Sequence, residues 1–245
     1  VIPTMDVNGK FALNCRNEIF KGLHIIFVES GYNNYYFNYA HNCNAGIKKA
    51  MEYNPKWIIV SNDDMYKVDP PEKLKEELSK LNNNKKIDFV LTVDPSKYQL
   101  MYWLIGKPRI TKTFLRYIFK YKVWHSLYRF IIRFNIKFET VWPRNIFIGI
   151  FFYKNIKSIL SIRGTFSIFN STLIEKMNSE PFDENYINDY EDVDLSMRIS
   201  NSYELINYKI GSYRGSSIQN GNLRTMRDII NLAYFNYKYA NIFKV

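Results

Sequence analysis

The first 95 residues alternate apolar runs with segments of helical periodicity, and this alternation limits the fold more than any other feature. Strands are predicted at VIPTM (1–5), LHIIFVE (23–29), PKWIIVSNDDM (55–65) and IDFVLTVD (87–94). Helical spacing fills the intervals at residues 8–22, 39–53 and 69–81. Because LHIIFVE is a nearly continuous apolar run and WIIVS is wholly apolar but for its last residue, we expect strands that are buried on both faces of a mostly parallel sheet. The pattern predicts an α/β fold whose central sheet is flanked by helices.

Composition sets the size of the core and the expected compartment. A chain of 245 residues, 47% of them hydrophobic, is long enough to bury the core of one large domain. Its two cysteines, Cys15 and Cys43, match neither a disulfide framework nor a metal-binding spacing. We see no secretory leader, and no apolar run reaches the roughly 18 residues of a membrane-spanning helix. We therefore expect a reducing, cytoplasmic setting in which any membrane contact is peripheral.

Polar residues follow the predicted strands of the first half. Asn62, Asp63 and Asp64 come directly after the buried run WIIVS. In an open α/β sheet, ligands bind at the carboxyl ends of the strands. Grouped carboxylates at such an end suit magnesium or manganese, which in turn bind phosphates. The alternative is a solvated turn that caps the next helix.

A second acidic cluster lies much later, in NDYEDVDLSMR (188–198). It follows RGTFSIFNSTLIEKM (163–177), which predicts a strand that runs into a helix. Acids at the start of a helix can simply stabilise its N-terminus. Asp194 and Arg198 are also four positions apart and can form an ordinary ion pair on a helix surface. The cluster is therefore a candidate either for chemistry or for helix stabilisation.

The order of these motifs resembles glycosyltransferase family 2. The shared features are a strand followed by VESG, then NAGIKKA, IIVSNDDM, RGTFSIFN and FDENYINDYEDVDLSMRI. The late acidic phrase is the specific part, and it is complete: Phe182, Asp183, Glu184, Glu191, Asp192, Asp194, Leu195 and Arg198. The resemblance covers residues 1–95 and 160–220. It implies a GT-A fold and transfer of a sugar from a nucleotide-sugar donor to an acceptor hydroxyl with inversion.

The resemblance assigns the chemistry to the two acidic clusters. Asp64, with Asp63 and Asn62, would hold a divalent cation, Mn²⁺ or Mg²⁺, against the departing diphosphate. Asp192 matches the family's general base. Glu191 would orient the acceptor hydroxyl or tune Asp192 by like-charge repulsion. The acceptor is expected to be a glycan or a lipid-linked glycan.

The nucleotide is expected to contact several strand-end residues. Glu29 stands where the family often carries an acid that reads the base. The end of the first strand would line the same cleft through Pro3, Thr4 and Asp6. Asn44 matches an asparagine near the metal, although packing of its helix explains it nearly as well. Many relatives carry a late histidine; the comparable stretch here, residues 211–221, has none, and Arg214 is the expected substitute for binding the diphosphate.

A basic insert separates the two halves. From Pro95 to Phe138 there is no acidic residue. The same stretch carries ten cationic residues: Lys97, Lys107, Arg109, Lys112, Arg116, Lys120, Lys122, Arg129, Arg133 and Lys137. Aromatic and aliphatic residues are interleaved with them, which predicts one or two amphipathic helices. Residues 96–138 would then either lie on an anionic membrane, at its cytoplasmic face, or cover the core of the domain.

These interpretations divide one GT-A-like domain into four segments. Residues 1–95 form the nucleotide-sugar half, 96–160 the basic insert, 161–221 the acceptor and catalytic half, and 222–245 a C-terminal helix. The net charge of +11 also fits a nucleic-acid-binding protein. Against that alternative, the aliphatic residues of the insert are too apolar for a nucleic-acid groove, so no nucleic acid is expected. A nucleotidyltransferase would need a glycine-rich phosphate loop after the first strand, which VIPTMDVNG does not supply.

Overall fold

The computed structural model describes most of the predicted α/β halves and little of the insert. The structure describes backbone and side chains for residues 1–30, 38–81, 87–92, 164–199 and 202–213. It also describes the helical positions 126, 230–231, 234–235 and 238–239. For residues 100–108 and 153–162 it describes the backbone. The chain divides into two compact units. Unit 1 comprises Val1–Met101, Ser161–Glu184 and Glu191–Ser216, and unit 2 comprises Tyr102–Leu160, Asn185–Tyr190 and Ser217–Val245.

Strands and helices alternate through unit 1. The strands are β1 (Ile2–Thr4), β2 (Phe27–Glu29), β3 (Trp57–Ser61), β4 (Met65–Lys67), β5 (Phe89–Thr92), β8 (Phe166–Asn170), β9 (Tyr203–Ile206) and β10 (Ile210–Ser212). The helices are α1 (Lys10–Asn14), which continues as a π-helix over Cys15–Ile19, α2 (Tyr39–Met51), α3 (Pro71–Ser79), α4 (Ser171–Lys176) and α5 (Glu191–Arg198). Strands β6 (Leu100–Pro108) and β7 (Tyr153–Ile162), most of whose residues belong to unit 2, pair with each other.

The central sheet of unit 1 is mostly parallel. Strands β3, β8, β5 and β9 are hydrogen-bonded in that order, and β1 pairs in parallel with β2. The Val1 nitrogen donates to Ile59 O (2.7 Å) and Ser61 N donates to Val1 O (3.0 Å), which is the parallel pattern and joins the β1–β2 ladder to β3. Strand β8 is antiparallel to both β3 and β5, whereas β9 is parallel to β5. Strand β8 is therefore the one inverted strand in this set.

Apolar side chains are buried on both faces of this sheet. One face packs Val90 and Ile168 with residues of the π-helix and α3. The other packs Val60, Leu91 and Phe169 with residues of α2, α4 and α5. Alternate residues of β3, β5 and β8 thus enter opposite cores, as expected for a sheet between two helical layers. The predicted mixed α/β architecture is confirmed.

Two predictions for residues 23–29 were wrong, and one strand was missed. Residues 23–29 were predicted as one strand, but β2 covers only Phe27–Glu29, because the chain leaves the π-helix through a turn at Gly22 with φ 73°. Strand β2 is also partly exposed, not buried on both faces. Strand β4 was not predicted at all; it forms by antiparallel pairing with β10.

The insert was predicted to contain one or two amphipathic helices within its basic stretch, yet segments near its two ends form the paired strands β6 and β7. Aromatic and branched residues in LMYWLIGKP are a strand signal that competes with the charge pattern. Its central part lies outside the described residues except Ser126, which is helical. In the C-terminal segment the six described positions are helical. Among the described residues, no helix has the length and apolarity needed to cross a bilayer.

Gly46 allows helix α2 to lie directly on strands β1 and β2. A β-carbon at this position would stand 2.4 Å from Val1 Cγ1 and 2.9 Å from Val28 Cγ2. We expect Gly46→Ala to lower the free energy of unfolding by about 1–3 kcal/mol, because overpacking outweighs the gain of about 0.5–1 kcal/mol from helix propensity. Urea denaturation measures it, and adding Val28→Ala should restore part of the loss. A more stable Gly46→Ala variant would contradict this packing.

Candidate active site

The carboxyl ends of β1 and β3 place two predicted site residues in direct contact. Thr4 ends β1, and the turn formed by residues 62–64 follows β3. The Thr4 hydroxyl donates to Asp63 Oδ2 at 2.7 Å. These strands run in parallel, so their ends meet at one edge of the sheet, where an α/β protein binds its ligand. Thr4 and Asp63, both predicted to line the nucleotide cleft, are therefore in direct contact.

Asp63 is held from two sides. Its carboxylate accepts from Thr4, and its backbone carbonyl accepts from the buried Cys15 thiol at 3.3 Å. Burial raises the pKa of Asp63 above its usual value, and the charge of Asp64 adds to the rise while the Thr4 hydrogen bond opposes it. Burial, with the nearby charges of Asp63 and Asp64, raises the pKa of Cys15 to about 12. The thiol is therefore protonated and acts as a donor that supports the turn.

The 62–64 turn leads into a strand and not into a helix. Strand β4 begins at Met65, and Tyr213 N, at the end of β10, donates to Asp64 O at 2.9 Å. Helix α3 begins later, at Pro71, and has no side-chain cap. The three turn residues are half-buried. A solvated turn that caps the next helix is therefore the wrong description of this segment.

Asp192 reaches the same edge through the inverted strand β8. Asn62 N donates to Thr165 O at 2.9 Å, which extends the β3–β8 pairing beyond Ser61 and Phe166. The adjacent residue, Gly164, donates its N–H to Asp192 Oδ2 at 2.9 Å. Asp192 Oδ1 accepts from Val193 N at 2.7 Å. Two acidic motifs far apart in the sequence are thus joined at the carboxyl edge by two hydrogen bonds, which the adjacent residues Thr165 and Gly164 make.

Glu191 and Tyr39 are two buried neighbours of the Asp192 region. Glu191 is 7% exposed and occupies the first turn of α5. The Tyr39 hydroxyl donates to Gly164 O at 2.7 Å. Burial raises the pKa of Tyr39 well above its usual value, and neighbouring Cys43, Glu191 and Asp192 add to the rise. The buried position of Glu191 favours the predicted tuning of Asp192 over contact with an acceptor.

Asn44 connects α2 to the start of the acidic phrase. Its Nδ2 donates to Phe182 O at 2.8 Å, and its Oδ1 accepts from Phe182 N at 3.1 Å. The same Nδ2 lies 3.1 Å from Glu184 Oε1, and His41 Nδ1 lies 2.9 Å from Glu184 Oε2. Asn44 is 2% exposed. These bonds favour the packing role of Asn44 over a role beside the metal.

The remaining nucleotide-binding candidates are less closely connected. Pro3 is buried within β1. Asp6 Oδ1 accepts from Asn8 N at 2.8 Å in the turn before α1. Glu29 ends β2 with an exposed side chain, in register with Thr4. Arg214 lies outside the described residues, so its predicted role against the diphosphate stays a prediction.

Asp194 and Arg198 form the ion pair that their spacing predicts. Asp194 is 0% exposed, and its Oδ2 lies 2.8 Å from Arg198 Nε. The Arg198 guanidinium also donates to Pro181 O, which ties α5 to the chain before the acidic phrase. A carboxylate buried this deeply needs its partner. The pair therefore stabilises α5, and Asp194 has no access to a substrate.

Removing Arg198 tests this assignment. We expect Arg198→Ala to lower the free energy of unfolding by roughly 3 kcal/mol, because it leaves the Asp194 carboxylate buried without its cation. Lys48→Ala is the matched control, since it breaks the Lys48–Glu180 pair, whose side chains are 54% and 51% exposed. Urea denaturation at pH 7 compares the two variants. Equal losses would show that burial does not distinguish the pairs.

Among the described residues at this edge, Asp63 and Asp64 are the carboxylates that would suit a magnesium-type cation. Within the described ranges, no group of three or more His, Cys, Asp or Glu side chains is placed to hold a metal ion. Magnesium in phosphate-transfer sites is commonly bound by one or two carboxylates, with phosphate and water oxygens completing its shell. Two adjacent carboxylates at a strand end meet that need.

Three residues of this site escaped the sequence reasoning: Cys15, Tyr39 and Gly164. Cys15 lies on the inner side of a predicted helix, so its burial was foreseeable but its contact with Asp63 was not. Tyr39 and Gly164 act through contacts that only the folded chain creates.

Scans against family models, curated proteins and solved structures each gave no match. Function is therefore inferred from the residues and geometry of this chain.

Proposed function

We propose that this protein is an inverting glycosyltransferase of GT-A type that moves a sugar from a nucleotide-sugar donor to an acceptor hydroxyl. The observation that supports this most is the meeting of two acidic motifs at one sheet edge. Asp63, after β3, is linked to Asp192, at the start of α5, by way of Asn62, Thr165 and Gly164. Glycosyl transfer needs a cation site and a base near each other, and this edge supplies both carboxylate groups.

In the proposed reaction, the acceptor oxygen attacks the anomeric carbon as the bond from that carbon to the diphosphate oxygen breaks. Asp192 accepts the proton of the acceptor hydroxyl. Hydrogen bonds from Gly164 N and Val193 N hold the Asp192 carboxylate in position. Glu191 beside it raises the local negative potential, which favours proton uptake by Asp192. Inversion follows because attack and departure occur on opposite faces of the sugar.

Asp63 and Asp64 would hold the divalent cation, Mn²⁺ or Mg²⁺. When bound, that cation supplies positive charge to the leaving diphosphate. Thr4 and Cys15 keep Asp63 in place through their hydrogen bonds. Glu29, exposed at the neighbouring strand end, would contact the nucleoside. Thr4 therefore supports the proposed cation site directly, through its bond to Asp63. The predicted nucleotide contact would be made at the same end of β1.

A screen of nucleotide sugars tests the proposal. The chain is incubated with each donor, with and without Mn²⁺, and both donor hydrolysis and the melting temperature are measured. We expect one donor class to raise the melting temperature only when Mn²⁺ or Mg²⁺ is present, and to be hydrolysed slowly. Stabilisation by nucleic acid alone, with no response to any nucleotide sugar, would overturn the proposal in favour of a nucleic-acid-binding protein.

We also propose peripheral membrane contact through residues 96–138, which would fit a lipid-linked acceptor at the cytoplasmic face. The ten cationic residues of this stretch would each contribute about 1 kcal/mol near an anionic bilayer. Wild type should co-sediment with anionic but not neutral vesicles at low salt. A variant with Arg116, Lys120, Arg129 and Arg133 changed to Gln should bind less. Equal binding by both proteins would assign the stretch to covering the core.

A further inference from the structure

We propose that Tyr39 is a positioning residue for Asp192 and acts through the two backbone polar groups of Gly164. This inference rests on the proposed function, because it assigns to Asp192 the role of base. Tyr39, the first residue of α2, Gly164 and the Asp192 carboxylate form a chain of hydrogen bonds, called here the contact chain. Its members are separate in sequence and contiguous in the fold.

The geometry of the chain is specific. Tyr39 Oη donates to Gly164 O at 2.7 Å, and Gly164 N donates to Asp192 Oδ2 at 2.9 Å. The carbonyl and the N–H of Gly164 thus have fixed partners on α2 and α5. Glycine has the largest range of backbone conformations, so this residue would otherwise be the least defined point next to the carboxylate. The Tyr39 bond removes that freedom.

Tyr39 is suited to be a permanent donor. Because burial, together with neighbouring Cys43, Glu191 and Asp192, raises the pKa of Tyr39 well above its usual value, the phenol keeps its proton at physiological pH. A hydroxyl of this kind fixes a carbonyl without adding charge beside the base. Asn38, which caps α2 by accepting from His41 N at 3.0 Å, fixes the helix start from which Tyr39 extends.

The contact chain also connects Asp192 to the turn formed by residues 62–64. Gly164 is followed by Thr165, whose carbonyl accepts from Asn62 N, next to Asp63. Fixing Gly164 therefore sets the base relative to the residues that would hold the cation. A shift of about 1 Å in a reacting group can lower a rate by about 100-fold. Tyr39 should accordingly affect the chemical step more than donor binding.

The first experiment needs no transferase activity. Amide spectra of ¹⁵N-labelled protein report the Gly164 N–H, whose proton shifts downfield when it bonds to a carboxylate. Asp192→Asn should move this signal upfield, and Tyr39→Phe should also move it. Tyr208→Phe is the matched control, since the buried Tyr208 hydroxyl has no hydrogen-bond partner among the described residues. It should leave the Gly164 signal unchanged.

The second experiment measures transfer once a donor and an acceptor are known. Tyr39→Phe should lower kcat by about tenfold to 100-fold while the donor KM stays within about twofold. Tyr208→Phe should keep both values. Because Tyr39→Phe removes a single oxygen, its melting temperature should confirm that it folds.

The outcomes separate the inference from the proposed function. If Tyr39→Phe leaves the Gly164 amide signal where it is in the wild type, the positioning role is overturned. An unchanged kcat in that variant overturns it as well. A Gly164 signal that responds to both Asp192→Asn and Tyr39→Phe supports the contact chain even if no nucleotide sugar is ever used. In that last case the proposed function fails and the contact chain remains.

Discussion

Asp192→Asn is expected to lower sugar transfer by about 100-fold or more while leaving donor binding nearly unchanged. The amide cannot accept the acceptor's proton, yet it keeps the shape of the carboxylate and can still accept from Gly164 N. Asp192 bonds to Gly164 and Val193, and nucleotide contacts are expected from other residues. The measurement is initial rate of transfer at saturating donor, together with a titration of the nucleoside diphosphate in the presence of Mn²⁺.

A charge-matched control separates loss of the base from loss of one negative charge. Glu175→Gln removes a carboxylate from the exposed side of α4 and should keep the wild-type rate. If Asp192→Asn also keeps the wild-type rate with a true acceptor, Asp192 belongs to the stabilisation of α5 alone. If it loses nucleotide binding as much as rate, the residue contacts the donor and not the acceptor hydroxyl.

The sequence predicted where Asp63 and Asp64 lie because a buried apolar run that ends abruptly in acids marks the end of a parallel strand. It also predicted the helix that begins at Glu191. It did not predict that the two acidic groups come together through Gly164, because that contact depends on β8 entering the sheet antiparallel between β3 and β5. Strand order is set by packing of distant segments, which local periodicity does not encode.

Other differences between prediction and structure each have a specific physical cause. Asn44 matched a motif position, but the folded chain uses both ends of its amide on the backbone of Phe182. Of the two roles that the sequence left open for Asn44, these bonds favour helix packing. The helical prediction for the insert gave weight to charge and overlooked β-propensity in β6. Tyr39 carried no sequence signal, since its importance arises from one hydrogen bond across the fold.

Asp64→Ala is expected to weaken Mn²⁺-dependent binding of a nucleoside diphosphate by about 100-fold, equivalent to roughly 2.7 kcal/mol. The change removes one of two carboxylates from the proposed cation site. Asp64 is the cleaner choice of the pair, because the Asp63 carboxylate also accepts from Thr4 and its loss would disturb β1. The backbone bond from Tyr213 N to Asp64 O does not depend on the side chain, so the turn should persist.

The expected result for Asp64→Ala is measured by calorimetric titration of the nucleoside diphosphate with Mn²⁺ and again with EDTA. Wild type should lose affinity in EDTA, whereas the variant should be weak in both conditions, because it lacks the cation that EDTA removes. Glu52→Gln, an exposed change at the end of α2, controls for net charge and should behave as wild type. Since a surface carboxylate alters binding only through screened, long-range charge, its effect should vanish at high salt while the Asp64 effect persists. A variant that binds as tightly as wild type with Mn²⁺ present would remove Asp64 from the cation site and leave the turn with a structural role.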